Sequence, residues 1–193
     1  MRVSETPPSA IKEQMESDER MLEAVSSGVA NAPTLRRYAW PEGDDRWATI
    51  GYFQKPDIVP PELRDRWARR PTGGGLVLHA GALTWSLVLP PGRAGLKNAR
   101  EVYRVVHETV RSALAACGVD ATLAPATATG RGNVCAVTLG PCDVLVDGRK
   151  AAGGAQRRRL GAVLYQGYID LPALDIQADA LWDELVKAVG VIV

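Results

Sequence analysis

Two stretches of this chain combine cations with glycine in a way that suits an anionic or acyl-phosphate ligand. Residues 146–159 hold Lys150, four arginines and three glycines. Asp143 to Val146 reads as a short strand ended by Asp147-Gly148, a pair that favours a tight hairpin turn because glycine tolerates φ > 0. Lys150 then stands just past the turn. Gly153-Gly154 lets a backbone come close to a ligand where a Cβ would collide, and the N–H groups of such a loop can face an anion. The other stretch, which comes first in chain order, is Arg69-Arg70-Pro71-Thr72-Gly73-Gly74-Gly75, running into Leu76 to His79 and then Leu83 to Leu89. Taken singly, each stretch reads equally as a basic surface hairpin; two of them in one small domain suggest one ligand gripped from two sides. Neither is a phosphate loop of the Gly-x-x-x-x-Gly-Lys-Ser/Thr type nor a Gly-x-Gly-x-x-Gly dinucleotide turn.

The remaining reactive side chains are few. Cys117, Cys135 and Cys142 show no Cys-x-x-Cys pair and no metal-ligand spacing with His79 and His107, so no metal site is expected. Cys117 and Cys142 read as small core residues. His107 has Glu108 beside it and is read as solvent-facing or at an edge. His79 follows the glycine loop directly, and a satisfied structural histidine is as compatible with that position as a ligand contact. Asp18 falls on the apolar face of a helix, where an unpaired carboxylate would be costly, so a buried hydrogen-bonded role is expected.

Elements must carry these residues to one place. The 193 residues fit one domain, 1–193, with 1–8 a frayed lead-in containing Pro7-Pro8 and no C-terminal accessory domain. Hydrophobic residues at 46% and charged ones at 23% are globular values, and a net charge of +1 does not point to nucleic acid. No leader-like segment or bilayer-spanning run is present, so a cytoplasmic protein with reduced thiols and no membrane partner is expected. Ser9 is expected to cap a helix to about Ser27, with Ile11, Met15, Leu22 and Val25 at helical spacing and Gly28 as a stop. Thr34 to Trp40 and Trp47 to Phe53 read as paired β segments around the 41–45 loop. Glu62 to Trp67 reads as a short helix. Val102, Val106, Val110 and Leu114 make an amphipathic helix ending near Gly118. Val134 to Leu139, Asp143 to Val146 and Ala162 to Leu171 read as strands, and a final helix opens at Asp175 or Gln177. The sum is an α+β domain on a mixed, mainly antiparallel sheet of about seven strands flanked by helices.

In one respect the residues resemble a known family. Arg69-Arg70-x-Thr72-Gly73-Gly74-Gly75-x-Val77-x-His79 with Leu83-Thr84-Trp85-Ser86, followed by Gly148-Arg149-Lys150-x-x-Gly153-x-Ala155-Gln156-x-Arg158, resembles the lipoate–protein ligase and octanoyltransferase family, within the biotin/lipoate protein ligase superfamily. Leu35-Arg36-Arg37-Tyr38 and Ile50-Gly51-Tyr52-Phe53-Gln54 look like that family's early strands. Departures are Ala80 where many relatives have aspartate, Gly154 for a frequent serine, and Tyr165-Gln166-Gly167 where some have Gln-His-Gly.

The resemblance implies transfer of an octanoyl or lipoyl group to a lysine of lipoyl carrier domains, either the E2 component of 2-oxoacid dehydrogenases or the H protein of glycine cleavage. In the acyltransferase version a cysteine takes the chain from acyl carrier protein as a thioester and no cofactor is needed. Cys135 lies fifteen residues before Lys150, a spacing like that of nucleophile and lysine in one octanoyltransferase branch. A thiol near Lys150 and arginines has its thiolate favoured; against this, Val134, Ala136 and Val137 surround it in an expected strand, where buried cysteine is common. The alternative is a lipoate ligase using ATP and Mg, for which a separate accessory chain would be a further partner. A non-catalytic acyl-binding protein is a third reading. Lys150 and Cys135 are the expected catalytic residues. Arg70, Thr72, Gly73, Gly74, Gly75, His79, Gly153, Gly154, Ala155 and Gln156 are the expected substrate contacts.

Overall fold

A computed structural model describes residues 1–40, 46–92, 98–125, 127–128, 132 and 138–193. In chain order its main elements are β1 (Arg2–Glu5), α1 (Ile11–Ser26), β2 (Thr34–Arg37), β3 (Ala48–Ile50), β4 (Trp67–Arg69), β5 (Val77–Leu78), β6 (Ala82–Leu89), α2 (Ala99–Ala116), β7 (Thr122–Leu123), β8 (Val144–Val146), β9 (Arg149–Arg159), β10 (Ala162–Asp170) and α3 (Ala178–Ile192). Seven strands form one sheet in the order β1-β2-β6-β10-β9-β8-β7, and β4-β3-β5 form a second. The pairs β2–β6, β6–β10, β10–β9, β9–β8 and β8–β7 are antiparallel, whereas β1–β2 is parallel. The mixed, mainly antiparallel α+β architecture agrees with the expectation.

β6 and β10 are buried almost throughout because helices cover both faces of the large sheet. Side chains alternate across a strand, so Trp85, Leu87 and Leu89 pack with Val106, Val110, Leu181 and Leu185 of α2 and α3. Val88 and Leu164 point the other way, onto Leu22 and Val25 of α1. Each such fully buried aliphatic side chain contributes about 2 kcal/mol.

Several expectations are corrected. Residues 1–8 are not a frayed lead-in, since β1 pairs residue for residue from Arg2↔Thr34 to Glu5↔Arg37. Ser9 does not cap α1: Ala10 takes the cap position, and the Ser9 N–H goes to the Ala39 carbonyl at 3.2 Å. The segments Thr34 to Trp40 and Trp47 to Phe53 do not pair with each other; β2 joins β6, and β3 joins the small sheet. Glu62 to Trp67 is not a helix but a single 3-10 turn, Pro61–Leu63, followed by β4. The second glycine stretch is no loop, for Gly153 and Gly154 lie inside the eleven-residue β9. The 41–45 loop and residues 134–137 of the expected strand lie outside the described residues.

Candidate active site

The hairpin carrying Lys150 forms as its sequence demands. Asp147 and Gly148 adopt φ of +50° and +74°, the left-handed pair of a two-residue type I′ turn. Pairing then runs Val146↔Arg149 and Leu145↔Lys150 but resumes at Val144↔Ala152, so Ala151 is an extra residue on β9. Such a bulge re-aims neighbouring side chains. Lys150 Nζ comes to 2.7 Å from Asp143 Oδ2 and donates to the Thr138 carbonyl at 3.0 Å, with its side chain only 6% exposed. A lysine this sheltered is held in place by its carboxylate partner, which cancels most of the cost of taking the charge out of water.

Glycine leaves room beneath this pair. A Cβ on Gly153 would lie 2.7 Å from Lys150 Cε and 3.0 Å from Asp143 Oδ1. One residue on, a Cβ at Gly154 would stand 2.2 Å from the Tyr165 hydroxyl. The tyrosine occupies the space that a serine would need, which accounts for glycine at this position.

The Tyr165 hydroxyl is part of a buried string. His107 Nδ1 lies 2.6 Å from the Cys142 carbonyl and Nε2 lies 2.6 Å from the Tyr165 oxygen. A carbonyl only accepts, so Nδ1 carries the proton and, with the ring neutral, Tyr165 donates to Nε2. Burial lowers the His107 pKa, and the bond to Cys142 opposes that shift only in part, so the neutral form is the one present. The expectation of a solvent-facing His107 is overturned: the residue is 1% exposed. Its signal was in the sequence, because Tyr103, Val106, His107 and Val110 follow the i, i+3, i+4, i+7 spacing of one helix face. Asp143 was read only as the start of a strand, and nothing local marks it as the partner of Lys150.

The first glycine stretch is shaped by Arg70. Its guanidinium donates to Gly73 O from Nε at 3.1 Å and from Nη2 at 2.7 Å, to Gly75 O at 2.6 Å and to Thr49 O at 3.2 Å. Gly74, between these anchored carbonyls, takes φ +86°, open to glycine at little cost. Thr72 is fully buried and donates to Gln166 Oε1 at 2.7 Å. His79 is buried between the hydroxyls of Thr49 at 2.9 Å and Thr84 at 3.0 Å. Burial, with the Arg70 charge adding to it, lowers its pKa to about 3.

These pieces surround a cavity of about 790 Å³ whose wall includes Gly74, Gly75, Tyr103, Asp143, Lys150 and Gly154. That volume lies within the range of small-molecule sites. A separate pocket of about 30 Å³, room for roughly one water, adjoins it through Gly154 and is bordered by Arg70, His79 and Ala155. The structure therefore brings Gly74, Gly75, Lys150 and Gly154 together, and sets Arg70, His79 and Ala155 on the smaller pocket behind. Thr72, Gly73 and Gly153 stand as supports for these groups. Gln156 Nε2 donates to Ala99 O at 2.8 Å, tying β9 to the start of α2. Cys142, at φ +64°, forms part of the cavity wall. Cys135 lies outside the described residues.

A buried lysine–carboxylate pair and two glycine segments thus meet around one cavity, on a mixed sheet with helices on both faces, a fold shared with lipoate ligase structures. Two solved structures share the fold at 25% identity, each aligned over 97% of this chain. They are protein Ta0514, a putative lipoate protein ligase from T. acidophilum, with TM-score 0.73 over 82% of its chain, and lipoate-protein ligase A bound with ATP, with TM-score 0.75 over 83%. The family model of the lipoyl protein ligase A/B catalytic domain matches residues 10–179, and the chain belongs to that family. Among curated sequences it is similar to the octanoyltransferase LipM of Kyrpidia tusciae, 35% identical over 181 residues, and to that of Staphylococcus aureus, 32% over 183 residues. These alignments cover 87% and 88% of this chain, and the chain spans only 64% of the length of either relative.

Proposed function

We propose that this protein transfers an octanoyl group to a lysine of lipoyl carrier domains through a thioester on Cys135. The observation that carries the reading is Lys150, fixed by Asp143 on the wall of a cavity of about 790 Å³ in a chain 32–35% identical to several LipM octanoyltransferases. In the first half-reaction the Cys135 thiolate attacks the carbonyl of octanoyl carrier protein, the carrier's C–S bond breaks as the enzyme thioester forms, and the carrier leaves as its thiolate. In the second, the neutral amine of the acceptor lysine attacks the enzyme thioester; the amide forms, the C–S bond breaks, and the amine proton passes to the departing thiolate. Charge develops on the carbonyl oxygen in both steps, and in this reading the Lys150 cation stabilises it. No nucleotide is required, because exchange between thioesters is nearly balanced in energy.

The test is mass measurement after mixing the protein with octanoyl carrier protein without ATP. The expected result is one added octanoyl mass, labile to hydroxylamine, present in Cys142→Ala and absent in Cys135→Ala, followed by its passage to apo lipoyl domain. Lys150→Ala is expected to lower transfer at least 100-fold with unchanged circular dichroism. Modification of the carrier domain by Cys135→Ala with lipoate, ATP and Mg, releasing pyrophosphate, would make the protein a ligase instead.

A further inference from the structure

Beside the cavity, the chain holds two aromatic rings out into solvent. Phe53, the chain's one phenylalanine, is 89% exposed, and the neighbouring Tyr52 is 48% exposed. Their rings meet edge to face at 5.1 Å. Other strongly exposed apolar side chains, such as Val29, Leu160 and Val191, are not sequence neighbours of one another.

The segment that presents these rings is fixed in place. Gly51 sits so tightly on the first glycine loop that a Cβ there would lie 2.0 Å from the Gly74 carbonyl oxygen. The Tyr52 N–H donates to Thr72 O at 2.9 Å, and the Gly51 N–H donates to Gln54 Oε1 at 3.0 Å. Arg69 Nη1 reaches the carbonyls of Gly51, Tyr52 and Gln54 at 3.2, 2.8 and 2.6 Å. The guanidinium of Arg157 stands 5.4 Å from the centre of the Tyr52 ring. Gln54, the next residue after Phe53, lines the cavity that holds Lys150. A rigid, solvent-facing aromatic pair at the mouth of a site is the form of a protein-binding anchor, since large rings add contact area with little loss of side-chain freedom.

We infer that Tyr52 and Phe53 seat the acceptor protein, the carrier domain whose lysine takes the acyl group. The inference rests on the proposed acyl transfer. An acceptor must deliver its own side chain into the cavity, so its body has to lie against the rim. A donor that carries its acyl group on a long flexible arm has no such constraint. Arg157 is already paired with Glu19 at 3.2 Å, so the cation beside the rings is Arg69, and the complementary surface is an apolar patch with a carboxylate at that edge.

Steady-state transfer to apo lipoyl domain, with a small octanoyl thioester as donor, reads the seat. Phe53→Ser is expected to raise KM for the acceptor at least tenfold, while the rate of loading the enzyme from the thioester and the melting temperature stay as in the wild type. An acceptor KM within twofold of wild type overturns the inference, as does a loss confined to loading from octanoyl carrier protein, which would make the rings a donor seat. Direct titration of apo lipoyl domain into both proteins reads the same contact without turnover. Weaker binding by Phe53→Ser supports the seat even if no acyl group is transferred, a result that would count against the proposed function alone. Equal binding by the two proteins, or none by the wild type, removes it.

Discussion

At Gly154 an added methyl would meet the Tyr165 hydroxyl at 2.2 Å and the Gln166 carbonyl oxygen at 2.6 Å. Neither can retreat cheaply: the hydroxyl is held by His107 Nε2, and the carbonyl belongs to the middle of β10. Gly154→Ala is therefore expected to cost about 1–3 kcal/mol, the usual range for overpacking a filled interior, and to lower the melting temperature by several degrees. The shifted Tyr165 would also loosen the string through His107 to the Cys142 carbonyl, one residue from the carboxylate that holds Lys150, so octanoyl transfer should fall with stability. A melting temperature equal to wild type would show that Tyr165 has another place to go.

Among the elements, α1 is attached to the sheet through a polar centre as well as an apolar one. Asp18 on its buried face accepts from Arg36 Nη2 at 2.7 Å on β2, from Ser86 at 2.7 Å on β6 and from Gln166 at 2.6 Å on β10, and it also accepts the hydroxyl of Tyr38. Gln166 in turn accepts from Thr72, so one carboxylate links α1, three strands and the glycine loop. The burial of Tyr38, reinforced by the Asp18 charge, holds its hydroxyl pKa well above the ordinary value and keeps it a donor. Asp18→Ala would leave the Arg36 guanidinium buried without its counter-charge, for which about 3–5 kcal/mol is the expected loss. Urea unfolding measures it, and a change below about 1 kcal/mol would mean that Gln14 and Thr6, the other acceptors of Arg36, are sufficient.

For the whole molecule, the two histidines make stability depend on pH. Both are buried in neutral form with pKa values pushed down, His79 to about 3. Their unfolded values are near 6.5, so below that pH the unfolded chain binds protons that the folded chain refuses, and folding is penalised as pH falls. The stabilisation they allow is fully present above about pH 6.5. It declines below that, by up to about 1.4 kcal/mol per pH unit for His79 until pH approaches 3. Denaturation at pH 7 and at pH 5 should show this loss in the wild type, and His79→Gln should show a smaller difference between the two pH values. An equal difference would place the pH dependence elsewhere, on His107 or the carboxylates.

Much of this was legible in one dimension. The helical spacing of α1 and α2, the Asp-Gly turn before Lys150 and the order of the two glycine stretches are local patterns, and local sterics and amphipathicity suffice to read them. That the two stretches meet at one cavity was suggested by their shared cationic, glycine-rich composition and is seen in the structure. The tertiary fold alone decided what depends on residues far apart in the chain. Asp143 becomes the partner of Lys150 because β8 and β9 pair with a bulge at Ala151, and His107, whose place on the helix stripe was legible, finds its partners only when the fold brings up Tyr165 and the Cys142 carbonyl. In the same way β1 exists only as a strand added to β2, and β3 left β2 for β4 and β5. Short strands carry little preference of their own for a neighbour, so their pairing is chosen by whichever arrangement buries the helices' apolar faces and satisfies the buried charges at once.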